Sequence, residues 1–280
     1  ESMLGLIDLL TAALPLLYGL TAVNYTVYFV RQDPFAERTC TLFLAGTVMV
    51  HLAFVVLLSA HFSRVPVATL PEALNLMALS VAVTYLYVER IEQHRSTGVF
   101  ILPLVVLLQL ASSALLPHSN PEALPQSHLF ESSFFGLHAI AAILGYTAFA
   151  VGAVYGSMYL LLYRSLKAKN FGLVFERLPS LDVLTKMVFG ATFLGWVFLT
   201  VTIALGVGMS MGQLPEFYLD PKFLSTVAVW IVYGAGVVTW YALSWRGARA
   251  VYFSLAGFVF ALVAMMGSAF FWPSFHAFLT

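Results

Sequence analysis

FFGLHAIAAILGYTAFAVGAVYGSMYLLLY, residues 134–163, contains no aspartate, glutamate, lysine or arginine. The hydrocarbon core of a bilayer takes about 20 apolar residues of helix. This stretch is therefore a membrane span with residues to spare, tilted or projecting beyond the lipid. Seven further stretches pass the same test: residues 4–30, 39–62, 73–89, 98–116, 184–209, 223–244 and 250–272. Apolar residues make up 61% of the chain and charged residues 9%. A soluble domain carries about 25% charged residues, so no water-compatible surface could be built from this composition. With a mean hydropathy of +0.91, the chain reads as all-α, a polytopic integral membrane helix bundle of about eight transmembrane helices. It forms a single membrane domain over residues 1–280. Glu1-Ser2 ahead of Met3 reads as an expression scar, and the first apolar stretch, lacking a charged lead, as a retained span.

Eleven of the 13 basic residues fall in or at the edges of the connections after spans one, three, five and seven: Arg31, Arg38, Arg90, Arg95, Arg164, Lys167, Lys169, Arg177, Lys186, Arg246 and Arg249. Only Arg64 and Lys222 fall on the other side. The positive-inside rule puts the first group in the cytoplasm and both termini outside. The outer side also holds the polar, turn-rich segments 61–72, 117–133 and 210–222, together with 273–280. Chemistry in membrane proteins sits where helices break or loops line a cavity, so the outer face is where a site is expected.

Several function classes drop out. The formal net charge is zero, which gives no reason to expect nucleic acid. Cys40 is the one cysteine, so neither an intrachain disulfide nor a CxxC or CxxCH centre can form. Gly206-x-Gly208 followed by Gly212 has the wrong spacing for a dinucleotide loop, and no GxxxxGK or HExxH occurs. No carboxylate lies deep in a span, since Asp8 and Glu89 sit near span ends; this argues against a proton-coupled transporter.

The histidines carry more. His94, His118 and His128 fall in loops and read as solvated. His138 lies about one turn inside the outer end of span five, and His276 just past the outer end of span eight, so topology brings both to one face. Gly145, Gly152 and Gly156 continue below His138 at steps that keep one helix side. Such a stripe either leaves room for a flat ligand such as a porphyrin or lets two helices approach closely. His51, near the middle of span two with Thr47 on the same face, is expected to face the bundle interior; it is either a functional group or the partner in an interhelical hydrogen bond.

Taken in order, these residues resemble the cytochrome c assembly proteins of the CcsA/HemX type. The stretch from His138 to Phe149 is similar to the helix bearing that family's first outer haem-ligand histidine. Leu181-Asp182 is similar to the lead into its next helix, and Asp220-Pro221-Lys222 to the end of its outer loop. Trp245-Arg246-Gly247 with Gly257-Phe258 resembles its last turn and helix, and Ser274-Phe275-His276-Ala277-Phe278 stands where its second outer ligand falls. Near the N-terminus, His51 followed by Ser59-Ala60-His61-Phe62 and Pro71-Glu72 is similar to an embedded histidine and its following motif. The family-like core is about 130–280, with the helices of 4–116 completing the bundle.

Two features depart from the family. The tryptophans of the outer loop are replaced by the run from Gln213 to Leu219, and span seven lacks a histidine before Trp245. The resemblance implies haem b, with His138 and His276 as axial ligands of the haem iron and Phe217, Tyr218 and Asp220 around the ring. Arg64 and Lys222 would then neutralise the propionates, unless each pairs with a local acid. His51 would be a second haem site short of one ligand, or a structural residue. The function implied is handling or presenting haem b at the outer face of a bacterial cytoplasmic (inner) membrane for cytochrome c biogenesis. Partners would be haem, the lipid bilayer, other maturation proteins or an apocytochrome, and no nucleic acid. The lost residues fit a non-catalytic or degenerate haem lyase component better than a working synthase. The alternative is a HemX-like regulator or scaffold in tetrapyrrole biosynthesis, docking through the basic segment 164–186.

Overall fold

The computed structural model describes residues 2–116, 133–169, 171–210 and 217–270. Among these residues there are nine α-helices, one 3-10 turn and no strand. In chain order they are α1 (Ser2–Arg31), α2 (Pro34–Phe62), α3 (Leu70–Glu92), α4 (Gly98–Leu115), α5 (Ser133–Lys167), the short α6 (Leu173–Arg177), α7 (Leu181–Ser210), the 3-10 turn Phe217–Leu219, α8 (Pro221–Ala242) and α9 (Ala248–Phe270). All but α6 are long and apolar enough to cross a bilayer, which makes eight spans.

Three helices start on polar caps that hydropathy cannot see. Asp33 accepts hydrogen bonds from the amides of Phe35 and Ala36, both at 2.9 Å, with Pro34 in the first helical turn. Asp220 does the same for Lys222 and Phe223 at 2.8 and 3.2 Å, followed by Pro221. Thr69 and Glu72 form a reciprocal capping box at the head of α3. The span expected from residue 39 therefore begins at Pro34, and that expected from 73 begins at Leu70. The turn into α9 needs its glycine, because Gly247 sits at φ +62°.

Helices α1 to α4 pack among themselves, and α5, α7, α8 and α9 form a second group; α3 joins the two by packing on α5. Helix α3 is the most enclosed, with 67% of its span window buried against 17% for α8. The seam between α5 and α7 explains the glycine stripe. A Cβ on Gly145 would lie 3.3 Å from the Gly195 carbonyl oxygen, and one on Gly152 would lie 2.9 Å from Thr192 Cγ2. A Cβ on Gly156 would meet Leu255 of α9 at 3.1 Å. The stripe is thus filled by neighbouring helices and offers no surface to a flat ligand. Close helix approach is the reading that holds.

Candidate functional site

The basic-poor end of the bundle gathers four segments. His138 stands five residues into α5 and is half-buried. Its Nδ1 lies 3.0 Å from the carbonyl oxygen of Thr202, eight residues before the end of α7. A carbonyl can only accept, so Nδ1 carries the proton and the lone pair of the neutral ring is on Nε2. The segment between α2 and α3 lies against the same turn, because a Cβ on Gly136 would come within 2.3 Å of Val65 Cγ2.

Arg64, the neighbour of Val65, forms a two-pronged pair with Glu72: Nη1 to Oε2 and Nη2 to Oε1, both at 2.8 Å. Their side chains are 9% and 1% exposed. Glu72 also accepts from the amides of Ala68 and Thr69, and the Arg64 guanidinium sits 5.2 Å from the Phe62 ring centre. Arg64 therefore takes the local acid pairing that its sequence left open. Asp220 is buried and serves as the cap of α8, with Lys222 half-buried in the turn that follows. Phe217 opens the 3-10 turn. Tyr218 is 49% exposed and meets Phe223 edge to face at 5.8 Å. His276, like His118, His128 and loop residues 211–216, lies outside the described residues.

His51 is elsewhere, inside the α1–α4 group and fully buried. The Tyr18 hydroxyl is 3.0 Å from Nδ1, and Nε2 is 3.0 Å from Asn75 Oδ1. Gln109 Nε2 donates to the same Asn75 oxygen at 3.2 Å, which fixes that atom as an acceptor. His51 therefore donates from Nε2 and accepts at Nδ1, and both ring nitrogens are engaged. This is the arrangement that the structural alternative expects.

A polar ladder runs from His51 toward the basic-rich end along the α1–α2 contact. Thr21 meets Thr47 at 3.2 Å, and Asn24 donates to Thr39 at 2.9 Å. At its foot Glu89, 2% exposed, accepts from Tyr25 at 2.6 Å and from Thr41 at 2.5 Å. Arg95 in turn donates to Thr41 at 3.0 Å. Sequence reading took Glu89 only as a helix end. The signal it missed was the spacing of Tyr18, Thr21 and Tyr25, three and four residues apart on one face of α1. Among the described residues no group of three or more His, Cys, Asp or Glu side chains could hold a metal ion.

Residues 67–276 match the family described as Cytochrome C assembly protein. The chain is similar to Protein HemX of Brevibacillus brevis, at 28% identity over 259 residues, which is 90% of this chain and 92% of that one. It is 21% identical over 250 residues to Cytochrome c biogenesis protein CcsA of Heterosigma akashiwo, 78% of each chain. It is also 29% identical over 175 residues to Inner membrane protein YpjD of Escherichia coli, 62% of this chain and 65% of that one.

Proposed function

Because the chain belongs to the cytochrome c assembly protein family, we propose that it holds haem b at its basic-poor end and presents it there to cytochrome c maturation. In this proposal that end faces outward from a bacterial cytoplasmic membrane, a placement supported by the charge bias of the connections. The observation that carries this reading is the hydrogen bond from His138 Nδ1 to the Thr202 carbonyl. It selects the tautomer whose Nε2 can donate to iron and fixes the ring plane relative to α7, as metal-binding histidines require. A bound haem would supply an iron that accepts neutral imidazole nitrogen and would be low-spin when two histidines hold it. In this proposal His138 provides one imidazole and His276 the other.

Asp220 contributes by fixing where α8 begins, which sets the position of Lys222 beside the site. Phe217 and Tyr218 supply apolar wall, and Lys222 is the cation proposed for the propionates. Arg64 has a different part. Its pair with Glu72 braces the segment that carries Val65 against Gly136, so it shapes the rim near His138 rather than binding the ligand.

The purified protein in detergent should show a low-spin haem spectrum, oxidised and reduced. His138→Ala or His276→Ala should convert it to high-spin or empty the site while the protein stays folded. Two single variants with unchanged spectra would sink the proposal.

A second reading has its own support. The α5–α7 connection is basic and exposes Phe171 and Leu173 beside Lys167 and Lys169. That surface suits a cytoplasmic partner and a non-catalytic regulator or scaffold of tetrapyrrole biosynthesis. Charge reversal at Lys167 and Lys169 that changed tetrapyrrole output without touching the haem spectrum would favour it.

A further inference from the structure

Between the basic-rich halves of α7, α8 and α9 lies a partly open pocket with a cavity volume of about 30 Å3. Its wall includes Thr185 and Thr192 of α7, Tyr233 and Thr239 of α8, and Phe253 and Ser254 of α9. Ser254 is 5% exposed, and its hydroxyl has no hydrogen-bond partner within the protein. The three threonine hydroxyls each donate to a carbonyl of their own helix, at 2.7 Å for Thr185 and 2.9 Å for Thr192 and Thr239. Their protons are thus committed, while their oxygens can still accept.

The occupant follows from this inventory. No charged side chain lines the cavity, so an ion there would lack compensation. An apolar occupant would leave the Ser254 hydroxyl bare, which is costly in a low-dielectric interior. A small neutral molecule that both donates and accepts satisfies every group. A buried water needs about 10–15 Å3 by this kind of measure and two to four polar partners, so the volume suits about two. We propose that this cavity is an intramembrane binding site for water, in which the Ser254 hydroxyl and the oxygens of Thr185, Thr192 and Thr239 hold one or two molecules. Water there gives α8, the least enclosed span, a polar seam against α7 and α9. That seam adjoins the Tyr233 ring, which stacks on Phe149 of α5 at 3.7 Å and 5°.

Millisecond hydroxyl-radical footprinting of the whole protein in lipid nanodiscs tests this, since radicals form where water is bound. Tyr233 and Phe253 should be modified clearly above Phe260, which is 41% exposed on the lipid side of α9. Ser254→Ala supplies a sign test. It should lower the detergent Tm if the hydroxyl is bonded to water, and raise it if the cavity is dry and a bare hydroxyl has been removed. Labelling of Tyr233 and Phe253 at the Phe260 level, or a rise in Tm, overturns the proposal; a lipid tail in the cavity would give the same background labelling. Should Ser254→Ala fail to fold, labelling of the unmodified protein decides alone.

Discussion

At the scale of single residues, each buried side chain is defined by what its polar atoms face. His51 touches α1 through Tyr18 and α3 through Asn75, so one imidazole ties three helices together. Replacing it by leucine keeps the volume roughly constant but strands the Tyr18 hydroxyl. A stranded buried group costs about 1–3 kcal/mol, and membrane hydrogen bonds measured by double-mutant cycles average about 0.6 kcal/mol. His51→Leu is therefore expected to lower unfolding stability by about 1–3 kcal/mol while leaving haem content and spectrum as they were. Loss of haem from an otherwise stable His51→Leu protein would restore it as a ligand. His138 is placed differently: its Nδ1 is tied to a backbone carbonyl of α7, and the ring stands half-buried five residues into α5. Arg64 and Glu72 show the cost of reading charge without partners. A lone outside arginine looks available to any carboxylate, yet Glu72 lies eight residues on and is nearly inaccessible to solvent. Removing either partner would leave the other as an uncompensated buried charge.

At the scale of elements, the α5–α7 seam leaves little room for added atoms. A Cβ on Gly195 would come within 2.6 Å of the Phe149 ring and 2.8 Å of the Gly145 carbonyl oxygen, and the latter, being backbone, cannot swing aside. Gly190, five residues earlier on the same helix, has nothing within 4 Å. Gly195→Ala should therefore cost about 1–3 kcal/mol or more through overpacking. Gly190→Ala should be neutral or stabilise by about 0.5–1 kcal/mol, because alanine is the better helix former. Thermal unfolding of the two variants side by side checks this, and equal behaviour would mean that the seam is not closed. The same seam shows what sequence could reveal. The glycine periodicity was plain along α5, but a stripe displays only one side of a contact, and the residues that fill it lie about 40 to 100 positions away. Helices were legible because a bilayer demands long apolar runs. Their starts at Pro34 and Leu70 were not, since the caps are polar and hydropathy discounts them. His138 was legible as a site candidate from its place near a helix end; Thr202, which orients it, contributes a backbone atom that no side-chain motif marks.

At the scale of the whole molecule, sidedness decides whether the parts make a site at all. An even number of spans puts the start of α1 and the end of α9 on one side, and Val65 between α2 and α3, the His138 half of α5, the Thr202 half of α7 and the Asp220 cap of α8 all lie toward that side as well. Eleven basic residues stand opposite. Moving a cation-rich loop across the membrane works against the potential and against insertion, which is why lysine and arginine counts orient bundles where carboxylates do not. The bias here is repeated in all four basic-rich connections, so no single loop has to carry it. Cysteine labelling gives the check, and the chain is suited to it because Cys40 is fully buried and should stay silent to a membrane-impermeant maleimide. Leu219→Cys, at a position 74% exposed beside the start of α8, should react in intact cells. Lys167→Cys, exposed at the end of α5, should react only after the membrane is opened. The reverse pattern would put His138 on the cytoplasmic side. The haem-presenting proposal would then fail even if His138 bound iron, because haem held there would face away from the compartment into which it is to be delivered.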